Sequence, residues 1–183
     1  MDTSSTPAID VVAATYFNAV KQVLESSTKQ NIKYSTTIQS IPRVSLRPDI
    51  GCFVQFSGDY NGLCVINMTG PAALCLYRGY MTAMGLPEEE LAKDHNTNEV
   101  PDSIGEMTNQ IMGHTMRMVE NKYNLTSFFG QPKALALNST IVLHPENDYN
   151  DNRRVVFIIN DMYRFYLELA MEKTEFITLS KKK

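Results

Sequence analysis

Apolar residues recur at helical spacing from Ile9 to Leu24, with Val12, Tyr16, Ala19, Val20, Val23 and Leu24 on one stripe and Asp10 near the start. That period predicts an amphipathic helix. After the polar SSTKQ the period drops to two, with Ile32, Tyr34, Thr36 and Ile38 on one face until Pro42 and Pro48 interrupt it. An exposed or edge strand is expected there, because proline cannot donate to a ladder. GCFVQFSGDYNGLCVINM, residues 51–68, is two apolar runs joined by GDYNG. It predicts a hairpin whose glycines and Asn61 supply positive φ angles. Gly70 and Pro71 then close the second strand and open a helix from Ala72 to about Met84, since proline suits a first helical turn.

The stretch from Gly85 to Pro101 is polar and acidic and is expected to be a short helical turn and loop facing water. A second long helix is predicted from Ser103 to about Tyr123. Strand patterns follow at Leu135–Leu143, Val155–Asn160 and Met162–Met171, with PENDYNDN connecting the first two. Helix then strands, a middle helix, and helix then strands again is the order a duplication would leave. FNAVKQVL and TNQIMGHTM align so that Asn18 matches Asn109 and Thr15 matches Glu106, so only the second half would carry a complete acid and amide pair. An equally simple reading is that two helical wheels align by chance. The expected class is an α/β fold, α+β in two layers, with long helices packed on an antiparallel or mixed sheet.

Composition narrows the function classes. A chain of 183 residues with 43% hydrophobic content can bury its own core in one domain spanning residues 1–183, with 1–8 and 181–183 expected as flexible tails. A net charge of −3 without a basic stripe argues against a nucleic-acid partner. Cys52, Cys64 and Cys75 form no CxxC pair and sit in apolar segments, as buried small hydrophobes in a reducing cytoplasm would. The start MDTSSTPAIDVV lacks the positive charge of a leader, and no apolar run approaches eighteen residues, so no membrane association is expected.

Candidate chemistry concentrates in DSIGEMTNQIMG, residues 102–113. With Ser103 as the cap, Ile104, Met107, Ile111, Thr115 and Met118 share one stripe. Glu106, Asn109, Gln110, Gly113 and Arg117 share the other, facing water. Two readings stand side by side. Ser103 to Glu106 is an SxxE capping box in which the glutamate folds back onto the helix start, or Glu106 and Asn109 are a surface pair with a chemical task. Gly113 costs about 1 kcal/mol relative to alanine inside a helix, which points to something approaching that face. Elsewhere the signals are weak. His95, His114 and His144 have no metal-ligand spacing, and Glu146, Asp148 and Asp151 lack the rest of a calcium loop. The methionines at 107, 112, 116 and 118 fit a core as well as a docking surface.

FNAVKQVLE, the GDYNG hairpin, the helix ending in TAMGLP, the acidic linker and DSIGEMTNQIMG occur in one order, from Tyr16 to Glu120. This ordered set resembles the CheC/CheX family of chemotaxis phosphatases, and the single-site CheX type more than the two-site CheC type. The resemblance implies hydrolysis of the phosphoryl-aspartate on a response-regulator receiver domain. Asn109 would position a water for in-line attack and Glu106 would engage the receiver's lysine. Gly113, Gln110 and Arg117 are the expected partner-docking residues. No metal or cofactor of its own is expected, the Mg2+ ion coming with the receiver, and homodimers are implied. A CheC-like module that binds a receiver without hydrolysing it is the alternative, and a structural dimer whose motif only caps a helix is the third.

Overall fold

The computed structural model describes residues 8–144 and 149–173. Helix α1, Ala8–Thr28, buries Ile9, Val12, Ala13, Tyr16, Phe17, Val20 and Leu24, the three-and-four spacing that its sequence announces. It ends on Lys29 in the left-handed region (φ 59), whose N–H bonds the Glu25 carbonyl. Three short strands follow: β1 (Ile32–Tyr34), β2 (Gln39–Ser40) and β3 (Ser45–Leu46). The expected hairpin is formed by β4, Ile50–Gly58, and β5, Gly62–Met68. Of its turn residues only Gly58 has a positive φ; Asn61 contributes instead through its side chain, which accepts from the Gly58 N–H.

Helix α2, Gly70–Ala83, starts two residues before the expected Ala72, with Thr69 as its cap accepting from the Ala72 N–H. A 3-10 turn at Glu88–Glu90 interrupts the linker. Helix α3, Glu99–Tyr123, ends on Asn124 at φ 57, as α1 ends on Lys29. The remaining strands are β6 (Ser127–Phe129), β7 (Lys133–Ala136), β8 (Ile141–Val142), β9 (Asp151–Ile159) and β10 (Tyr163–Met171). The continuous strand expected at Leu135–Leu143 is therefore two pieces in two different sheets, and β6 was not foreseen.

The main sheet is antiparallel, in the order β1, β9, β10, β5, β4, β6, with β2 also on β9 and β7 also on β4. This order is symmetric between the halves. The first half's β1 and β2 pair with the second half's hairpin strand β9, while the second half's β6 and β7 pair with the first half's hairpin strand β4. Strands β5 and β10 meet at the centre, and β3 pairs with β8. Helix-then-strands halves thus exchange strands, and α2 joins them.

The period of two along β5 and β10 feeds two cores. Cys64, Ile66, Phe165, Leu167 and Leu169 pack under the helices, while Leu63, Val65 and Ala170 face a smaller cluster with Val44, Leu46 and Tyr149. The β3–β8 ribbon therefore adds a partial third layer to the two expected. Cys52 and Cys64 are buried, and burial pushes the Cys52 thiol up to about 11. Cys75 is only half-buried, against the expectation that all three would be core residues. Of the expected tail 1–8, Ala8 is instead the first residue of α1, and residues 1–7, the expected tail 181–183 and the loop carboxylates Glu146 and Asp148 lie outside the described residues.

Candidate functional site

Helix α3 begins at Glu99, after Asn98, four residues before Ser103. Pro101 does not prevent this, because in the first turn its missing N–H and its clash four residues back both fall outside the helix. Ser103 is consequently an interior residue, buried, with its hydroxyl donating to the Glu99 carbonyl at 2.8 Å. The capping box is not formed. Glu106 lies two turns inside the helix, exposed, where no free amide of the helix start is within its reach.

The buried stripe of α3 comprises Ile104, Met107, Thr108, Ile111, Met112, Thr115, Met116 and Val119. Thr108 and Thr115 satisfy their hydroxyls on the carbonyls of Ile104 and Ile111. Met112 and Met116 take the core places, whereas Met118, expected inside, is half-buried. The opposite stripe is as expected: Glu106, Asn109 and Arg117 are exposed, and Gln110 and Gly113 are half-buried.

Asn109 stands between two hollows. One, of about 260 Å³, is bounded by Asp102, Gly105 and Glu106 on the helix and by Gln131 and Pro132 beyond β6. The other, of about 450 Å³, runs along Gly113 and Arg117 between Val23 of α1 and Phe129 of β6. A methyl group built on Gly113 would meet nothing nearer than Arg117 Nη1 at 3.9 Å and Phe129 Cζ at 4.0 Å. Nothing in the fold itself therefore requires glycine there. The Gln110 carboxamide donates to the Tyr80 hydroxyl on α2 at 3.0 Å and reaches Glu106 Oε1 at 3.5 Å. His114 is held by Gln22 of α1 at 2.8 Å. Tyr80, Gln131, Pro132 and Phe129 carried no signal in the sequence, because they reach this face from other elements.

The corresponding face of α1 carries no second pair. Asn18 is exposed, but its amide donates to the Ala14 carbonyl and its oxygen accepts from the Tyr34 hydroxyl, while Thr15 is buried and bonded to the Val11 carbonyl. A larger hollow, about 820 Å³, lies between the end of α1, α2 and the linker, around Cys75, Arg78 and His95. It shares no residue with the α3 face, and size alone assigns it no chemistry. Among the described residues no three His, Cys, Asp or Glu side chains converge on a point where a metal could sit. No described helix is long and apolar enough to cross a membrane.

Three helices on one face of an antiparallel sheet built from strand-exchanging halves define the CheC/CheX-like chemotaxis fold. Solved structures with this architecture include the chemotaxis protein CheX from Desulfovibrio desulfuricans, at 16% identity and a TM-score of 0.71 over 88% of this chain and 99% of that one. CheX from Vibrio vulnificus gives 15% identity and a TM-score of 0.72 over 88% and 99%. CheX in a complex with CheY, BeF3 and Mg2+ from Borrelia burgdorferi gives 17% and 0.66 over 88% and 97%. The chain belongs to the family described as protein of unknown function DUF3334, whose model matches residues 3–183. No curated protein matches it.

Proposed function

We propose that this chain hydrolyses the phosphoryl-aspartate of a response-regulator receiver domain in chemotaxis-type signalling, with Asn109 and Glu106 performing the task. The observation that carries the reading is the exposed placement of a neutral carboxamide and a carboxylate one turn apart, beside open hollows and a glycine that the fold does not need. The similarity to CheX, one example of which is solved with CheY, BeF3 and Mg2+, supports the choice of partner.

The chemistry follows from what each group can do. Phosphoryl transfer requires orientation of the attacking oxygen and placement of charge more than it requires a protein nucleophile. The Asn109 carbonyl oxygen accepts a hydrogen from a water and its amide donates, and the side chain stays neutral beside an anionic phosphoryl group. An aspartate there would repel the phosphate. Glu106 offers a carboxylate to a cationic side chain of the partner, a charge-assisted contact that fixes the register of the two proteins. Mg2+ belongs to the receiver in this reading, since such an ion is held through one or two carboxylates together with the phosphate it serves. A cytoplasmic setting and self-association belong to the same proposal. Among the described residues β1 and β6 are the edges of the main sheet, and these edges, with Phe128 of β6 71% exposed, favour self-association, which light scattering measures.

The test is the decay of a phosphorylated receiver in Mg2+ with and without the protein. The wild type should accelerate it, and Asn109→Ala should remove on the order of 10²-fold of that acceleration with the fold intact. Glu106→Ala should lose activity without loss of stability, since no capping box depends on it. Binding without acceleration would select the sequestering module instead, and absence of binding would overturn the reading.

A further inference from the structure

Glu106 is an exposed glutamate with several rotatable bonds, and holding such a side chain in one conformation costs rotamer freedom. An acid that must meet one partner cation benefits from being held beforehand. The fold supplies a holder. Gln110, one turn along α3, has two amide protons on Nε2; one is donated to the Tyr80 hydroxyl at 3.0 Å and the other is directed to Glu106 Oε1 at 3.5 Å. Tyr80 is itself anchored: its ring packs against the main core from the last turn of α2. Glu106 Oε2 has no partner among the described residues.

We infer that Tyr80 and Gln110 are positioning residues for Glu106, Tyr80 fixing the Gln110 carboxamide and Gln110 fixing one carboxylate oxygen so that the other is presented to the incoming cation. The inference rests on the reading of Glu106 given above. The contact to Glu106 is at the long end of hydrogen bonding in the free chain, as contacts that tighten only in the productive complex are. The arrangement ties α2, which belongs to neither exchanged half, to the chemistry on α3. It also gives a task to Gln110, which is half-buried and polar where a helix packed against a neighbour could carry an apolar residue.

Two substitutions isolate the device. Tyr80→Phe removes the hydroxyl and keeps the ring; Gln110→Leu keeps the bulk and removes the donor. In receiver dephosphorylation each should lower kcat roughly tenfold, the scale of a modest misplacement, with little change in KM. In a Glu106→Ala background neither should have any further effect, because the path ends at the carboxylate. A loss that persists undiminished in that background overturns the inference. A second readout needs no activity: in the nuclear magnetic resonance spectrum of the free protein, the Gln110 side-chain amide protons should shift in both Tyr80→Phe and Glu106→Ala. Amide protons unmoved by either change overturn the positioning role even if the wild type hydrolyses the receiver. Amide protons that move in a wild type without hydrolysis uphold the positioning while the phosphatase reading fails.

Discussion

At the scale of single residues, glycines separate what the fold needs from what it does not. A methyl group on Gly79 would sit 2.5 Å from the Thr28 carbonyl oxygen, so that glycine is dictated by the approach of α1 to α2. At Gly113 the nearest atoms are at ordinary contact distance, and the conformation is helical. Gly113→Ala should therefore stabilise the free protein by about 1 kcal/mol, raising Tm by about 2–4 °C. The same methyl group would stand on the face offered to the receiver and should weaken its engagement. Calorimetry and the dephosphorylation assay together check this: higher Tm with unchanged turnover would remove Gly113 from the docking face. Glu106, Asn109, Gln110, Gly113 and Arg117 could be placed on one stripe from spacing alone, because helical period decides which residues share a face. Tyr80 could not, since its contact with Gln110 joins positions thirty residues apart in sequence, and only the packing of α2 on α3 creates it.

At the scale of elements, long amphipathic segments were legible and most short ones were not, the edge strand β1 within the expected Ile32–Ile38 being the exception. Both long helices, α2 and the β4–β5 hairpin follow from period and turn chemistry, and β9 and β10 from alternation. Strands β6, β7 and β8 are two to four residues long, too short for a pattern, and are defined by the neighbours they pair with. Ser103 in an SxxE pattern reads as a cap, whereas α3 starts four residues earlier with Pro101 inside its first turn, where proline is tolerated. In YRFYLELAM, Glu168 stands on the strand face opposite Phe165, Leu167 and Leu169. It is fully buried beneath β3, where Arg154 donates to Oε1 at 2.6 and 2.9 Å and the Ser45 N–H donates to Oε2 at 3.0 Å. Arg47, at 3.8 Å and 41% exposed, adds a weaker contact. Glu168→Ala would strand the Arg154 guanidinium, which is only 16% exposed, and should cost about 3–5 kcal/mol. Urea unfolding measures it; a midpoint near that of wild type would mean that water replaces the carboxylate and that β3 is not held by it.

At the scale of the whole molecule, the exchange of strands decides how the chain can come apart. The first half contributes β1 to β5, but among the described residues β1 and β2 have ladders only with β9, and β5 leans on β10. The second half is in the mirror position, with β6 and β7 pairing only with β4 among the described residues. Each half therefore pairs its own hairpin but leaves its short strands to the other, and the hollow along Asn109 and Gly113 is complete only once Phe129 has been seated by β4. The segment between α2 and α3 is mostly exposed from Gly85 to Asn98 and contributes no strand to the sheets, so cutting it should leave the pairings unchanged. Fragments 1–90 and 91–183, prepared apart, should each lack cooperative unfolding by circular dichroism. Mixed in equal amounts, they should assemble, with a transition whose midpoint rises with concentration, as it must when association supplies the missing ladders. A fragment 91–183 that unfolded cooperatively alone would show that its helix and hairpin form an independent unit. The exchange would then be a late docking of finished halves, and not the step that builds the site.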